Sequence, residues 1–180
     1  MKTTLTILLS GLLLSGCSQK QAASTSKPAM NERQATLRQK FVQRSAQDQG
    51  KYTPQQLHDA DQLYAIANQE LGSPESKKSI ETMIQKYPGI NRTGCAMLIL
   101  ALTSQGDEQT KYLQESIDKY SDCFYGDGVQ VGAYARFCLA KHYKSTGETE
   151  KAKALFDEVK SSYSDAIDHH GKLLADSIEL

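Results

Sequence analysis

The chain has 180 residues and no net charge, with 21 basic and 21 acidic side chains. Nothing in that balance suggests a nucleic-acid partner, which would call for a basic patch. Tryptophan is absent, tyrosine outnumbers phenylalanine, and no alternating apolar and polar run marks a strand, which together predict an all-α protein.

The chain opens on Lys2 and an apolar run from Leu5 to Leu14 that closes in Leu14-Ser15-Gly16-Cys17. A basic start and a short apolar core make a secretory signal. The run falls well short of the ~20 residues needed to cross a bilayer. Leucine, two small residues and a cysteine resemble the signal of bacterial lipoproteins. The resemblance implies a signal peptide over residues 1–16 and a lipid on the Cys17 sulfur, with acyl chains such as palmitate. Several acyl chains together anchor firmly, so the membrane is an expected partner through Cys17. Ser18 stands where an aspartate would imply retention at the inner membrane. For a source with two membranes, the resemblance therefore implies the outer membrane, facing the periplasm. Residues 17–30 carry that cysteine and a polar tether, SQKQAASTSKPAM.

Residues 31–50 read as a helix with a thin, glutamine-rich stripe whose apolar points are Leu37, Phe41 and Val42. It packs at the N-terminal end of the domain or orders against a partner. The remainder, 51–180, suits one helical domain. Thr53-Pro54 is a helix start, a capping residue followed by proline at the first helical position. Leu57, Ala60, Leu63, Tyr64, Ala67 and Leu71 then repeat at helical spacing. Gly72-Ser73-Pro74 turns the chain, Ser73 caps the next helix, and that helix buries Ile80, Met83 and Ile84 before Tyr87-Pro88-Gly89 stops it. Gly94 to Leu102, GCAMLILAL, is apolar all round and reads as the central buried helix. A further helix carries Leu113 and Ile117 and ends at Tyr120-Ser121. The stretch 122–131 reads as an insertion, either a binding loop or a connector that packs Phe124 and Tyr125. Asp122 and Asp127 lack the spacing of a calcium loop.

Ala133 to Ser164 reads as two amphipathic helices around Ser145-Thr146-Gly147-Glu148, with Gly147 supplying the left-handed turn. Leu139, Ala140, Tyr143, Gly147, Ala152 and Phe156 stand where the tetratricopeptide repeat has its Leu-Gly pair, tyrosine, turn, small crossing residue and aromatic. This hairpin resembles that repeat, with Arg136 and Ser164 departing from its tryptophan and proline; a generic helical hairpin is the alternative. Residues 57–90 resemble an earlier repeat, with Ala60, Tyr64 and Ser76 as departures. The resemblance implies an array of about three helical hairpins. Ile167, Leu173, Leu174 and Ile178 predict a C-terminal capping helix over 165–180.

The fold so implied also ranks the chemistry. Stacked first helices start side by side, so Cys95 and Cys123 are the expected disulfide if the compartment is oxidising, and Cys138 is a small core residue. No CxxC arrangement, phosphate loop or nucleophile motif occurs, so no cofactor and no catalytic residue is expected. Transferring the concave positions of tetratricopeptide arrays selects Tyr134, Phe137, Lys141 and Lys144, with His58, Asp61 and Asn68 in the earlier repeat. The expected protein is a non-catalytic lipid-anchored adaptor for an envelope protein or peptide. Its plan is similar to the periplasmic repeat proteins of outer-membrane barrel assembly and of the Tol-Pal system, and secretion or pilus assembly fits as well. The alternatives are a small-ligand or metal-handling protein using the Cys123–Gly128 loop with His169 and His170, and a structural envelope lipoprotein. The two adjacent histidines diverge on a helix, so no metal site is expected from them alone.

Overall fold

The structure, a computed structural model, describes residues 30–179; the signal, Cys17 and the tether up to residue 29 lie outside the described residues. The described residues are all-helical: α1 (Met30–Gln49), α2 (Pro54–Gln69), α3 (Pro74–Lys86), α4 (Asn91–Thr103), α5 (Gly106–Tyr120), α6 (Val131–Ser145), α7 (Thr149–Ser162) and a 3-10 turn at Ala175–Ser177. They hold no strand, only two isolated bridges, Phe124 with Gln130 and Ile167 with Leu173. No described helix is long and apolar enough to cross a membrane.

The first pair is fixed by its caps. Thr53 Oγ1 accepts from the Gln56 amide at 3.2 Å, and Gln56 Oε1 accepts from the Thr53 amide at 2.9 Å. This reciprocal box satisfies two amides that a helix start otherwise leaves open. Ser73 caps α3 by accepting from the Ser76 amide at 3.1 Å. Where the repeat resemblance calls for alanine, Ser76 Oγ donates to the Ala67 carbonyl at 2.8 Å, and Ser79 Oγ donates to the Leu63 carbonyl at 2.7 Å. The two hydroxyls thus staple α3 to the helix before it. Gly147, with φ +83°, ends α6. Glu148 precedes α7 without a side-chain cap, because Thr146 Oγ1 turns back to the His142 and Tyr143 carbonyls.

The pairs α2–α3, α4–α5 and α6–α7 pack in sequence, and α4 also meets α2, α3 and α6. Every residue from Thr93 to Ala101 is buried. This explains the run of apolar residues on all sides of α4, since a helix packed by neighbours on every side has no solvent face to keep polar. One core joins α2 to α6, and a second joins α6, α7 and the C-terminal segment.

Tyrosines mark the junctions between pairs. The amide three residues on donates to the carbonyl of Tyr87, Tyr120 and Tyr163, from Ile90 at 3.2 Å, Cys123 at 3.0 Å and Ala166 at 2.9 Å. After Tyr87 the chain enters α4 at once. After Tyr120 and Tyr163 it first makes a loop, and the two loops are built alike. Tyr125 N to Val129 O (2.8 Å) matches Asp168 N to Lys172 O (2.9 Å), and Val131 N to Cys123 O (2.9 Å) matches Leu174 N to Ala166 O (3.0 Å). Gly128 and Gly171 turn both loops with positive φ, +98° and +81°.

The second loop corrects an expectation. The described residues of this stretch, 165–179, do not form a capping helix. The Asp168 carboxylate accepts from the amides of His170 and Lys172, both at 2.9 Å, and Gly171 completes the turn in a conformation a helix cannot hold. Ile167, Leu173 and Leu174 are still buried, on a loop rather than along a helix stripe.

The N-terminal helix α1 lies across all three junctions. Leu37, 1% exposed, sits among Phe124, Val129, Ile167 and Leu173. Val42, expected as an apolar point, is 62% exposed. In its place the helix buries a charged pair, Arg44 and Asp48. Arg44 also donates to Asp122 at 3.0 Å and to the Gly89 carbonyl at 2.8 Å, and Asp48 accepts from the Asn91 amide at 2.8 Å. Asn91 in turn exchanges two 2.8 Å bonds with the Phe124 backbone. The pair is therefore fully satisfied, which is the condition for burying charge without a large penalty.

Candidate binding surface

The first helices α2, α4 and α6 contact in order, and α2 and α6 carry the seven residues expected to bind a partner. The structure does not bring the seven together. His58 and Asp61 line a groove of about 480 Å³ with Gln49, Tyr52, Pro54 and Leu57. Asp61 also borders an adjoining cleft of about 210 Å³ beneath α1, lined by Phe41, Ser45, Ile90 and Arg92 among others. Lys141 and Lys144 line a separate groove of about 480 Å³ with Ser145, Phe156, Ser177 and Glu179. Asn68 is exposed and donates to the Tyr64 carbonyl at 2.8 Å.

Phe137 is a correction. It is 8% exposed, and its ring packs 6.0 Å from that of Phe156, so it is core between α6 and α7 rather than contact surface. Its remaining edge lies under Lys141, whose Nζ sits 5.6 Å from the ring centroid. Lys144 Nζ donates to the Glu179 carbonyl at 2.6 Å. Lys141 and Lys144 supply cations to the lining of this groove and Phe156 an apolar part of it, with Glu179 on the same lining.

Between the grooves lies a cluster that the sequence reading did not assemble. Arg92 pairs with Asp61 at 3.1 Å, and its guanidinium carbon stands 4.9 Å from the Tyr64 ring centroid and 5.8 Å from that of Phe41. Burial pushes the Tyr64 hydroxyl up to about 12. The Tyr125 hydroxyl donates to the Cys95 carbonyl at 2.8 Å. His169 meets Tyr125 and Tyr134 edge-on, at 4.9 and 5.6 Å, and its Nδ1 lies 2.7 Å from Asp127. The Cys123–Gly128 loop and the histidine pair meet here through His169 and Asp127. The described residues nonetheless hold no group of three or more histidine, cysteine or carboxylate side chains placed for a metal ion.

Cys95, Cys123 and Cys138 are free thiols in the structure, so the expected Cys95–Cys123 bridge is not formed here. Cys95 Sγ points at the Phe124 carbonyl, 3.4 Å away. Cys123 packs on Gly94, where an added Cβ would lie 2.5 Å from its sulfur. Burial pushes Cys123 and Cys138 up to about 12 and Cys95 well above the ordinary thiol value. All three stay protonated at neutral pH, which denies them the thiolate that nucleophilic chemistry needs.

Compared with known proteins, the chain matches no protein-family model, no curated protein and no solved structure.

Proposed function

We propose that this chain is a lipid-anchored periplasmic adaptor of the tetratricopeptide type. Cys17 holds it to the outer membrane, and the face of its first helices binds an envelope protein or peptide in envelope, secretion or pilus assembly. The repeat assignment is supported by three successive helix pairs with tyrosines at their junctions. It is also supported by the last pair, in which Ala152 and Phe156 are buried where the helices cross and Gly147 makes the turn. The signal sequence and Cys17 support the anchor.

The observation that carries the binding reading is the groove of Lys141 and Lys144 over Phe156. A surface groove with paired cations and an apolar base offers a chain segment charge-assisted and apolar contacts together. The test is co-purification from detergent-solubilised envelopes of the source bacterium, comparing the native chain with Lys141→Glu/Lys144→Glu. A partner recovered with the native chain and lost with the folded double variant supports the reading. An unchanged set of partners rejects this groove as the site.

A further inference from the structure

The two like-built loops present matching groups to α1. Asp122 and Asp165 occupy the same place in the two loops, each directly after the serine that follows the junction tyrosine. Asp122 takes Arg44 at 3.0 Å, and Asp165 takes Lys40 at 3.0 Å. Phe124 and Ile167 are likewise equivalent, and Leu37 sits against both. Gly128 leaves the space for it, since a Cβ there would lie 2.8 Å from that of Leu37. Leu37, Lys40 and Arg44 lie three and four apart, on one helical face.

We propose that the junction loops form a track that binds an amphipathic helix of a partner protein, one carrying leucine with cations three and seven positions on, and that α1 occupies this track as an internal competitor. The charge complementarity is repeated by the fold itself, one aspartate per loop, so the track reads a helix by period rather than at one point. The attachment of α1 suits exchange. It contributes one fully buried apolar side chain, Leu37, while the cores that join α2 to α7 close without it. Besides the half-buried Phe41, which packs on the same cluster, the rest of its hold is ionic and hydrogen-bonded, and buried ion pairs contribute little net stability. This track is separate from the Lys141–Lys144 groove, so it stands or falls independently of the function proposed above.

The test uses the full chain and a labelled synthetic peptide of residues 30–49. In the native chain α1 competes in cis, and apparent affinity falls with the fraction of free track. Leu37→Asp weakens α1 and is expected to bind the peptide at least tenfold more tightly than the native chain does. A peptide with Lys40→Glu and Arg44→Glu is expected to lose that binding. Gly128→Ala fills the track and is expected to bind neither peptide. A folded Leu37→Asp chain that binds no peptide, or binds the charge-reversed peptide equally, overturns the proposal. So does a Leu37→Asp chain that loses its cooperative helical melt, because α1 would then be integral to the fold.

Discussion

Leu37 lies where Gly128 has no side chain: a Cβ on that glycine would stand 2.8 Å from the Leu37 Cβ. The glycine is held twice, by this approach and by its φ of +98°. Gly128→Ala is therefore expected to cost roughly 1–3 kcal/mol, from the strained backbone alone and before α1 is displaced. Urea unfolding measures the loss. A change under about 0.5 kcal/mol would show that the loop relaxes around the new side chain.

Arg44 and Asp48 are buried as a pair, so removing one partner leaves the other charged and unmatched. Arg44→Met is expected to weaken the seating of α1 by about 3 kcal/mol, roughly a hundredfold in the exchange of its amides. Amides in α4 beyond Asn91 should keep their protection, because that core closes without α1. Arg44→Met/Asp48→Leu should recover part of the loss, since it removes both charges together. Hydrogen exchange on the two variants reads both effects.

Phe137 and Lys141 separate packing from contact surface. Truncating a core aromatic costs about 3–5 kcal/mol, so Phe137→Ala should lower stability by that order. Lys141 is exposed, and Lys141→Ala should stay within about 0.5 kcal/mol. Thermal unfolding of both variants checks the assignment. Equal, small effects would return Phe137 to the surface.

The thiols of buried Cys123 and half-buried Cys138 predict an alkaline loss of stability. Desolvation pushes Cys123 and Cys138 up to about 12 in the folded chain, against about 8.5 when unfolded. The folded state therefore holds more protons between these values. Its stability is whole below about pH 8.5 and declines as the pH rises toward 12. Cys138→Ala should reduce that slope, as read by urea midpoints across pH. At pH 8 the native chain should also react slowly with a maleimide at Cys95 and Cys123, and quickly once unfolded.

The helical character and the first hairpin were legible because their signals are local. Thr53-Pro54 and Ser73-Pro74 state where α2 and α3 begin, and the apolar run 94–102 can only be a surrounded helix. The C-terminal loop reads as a helix because Ile167 and Leu174 are seven apart, which mimics two turns of helix. The signal that corrects it is the recurrence of Tyr-Ser-Asp at 120–122 and 163–165, each followed by a glycine at 128 and 171. The seating of α1 was hidden for another reason. Its buried positions after Leu37 are Arg44 and Asp48, and charged residues on a glutamine-rich helix look like solvent face until their partners are known. The Tyr64–Arg92 and His169–Asp127 contacts join residues far apart in the chain, so neither shows in local spacing.

The central claim is that the first-helix face holds a protein partner. Photo-crosslinking in the native envelope tests it most directly, with the crosslinker at Lys141 and a control at Lys160, exposed on α7. The adaptor account predicts a discrete protein adduct from position 141 and none from position 160. No adduct at position 141, in a chain shown to be folded and lipidated, would contradict it.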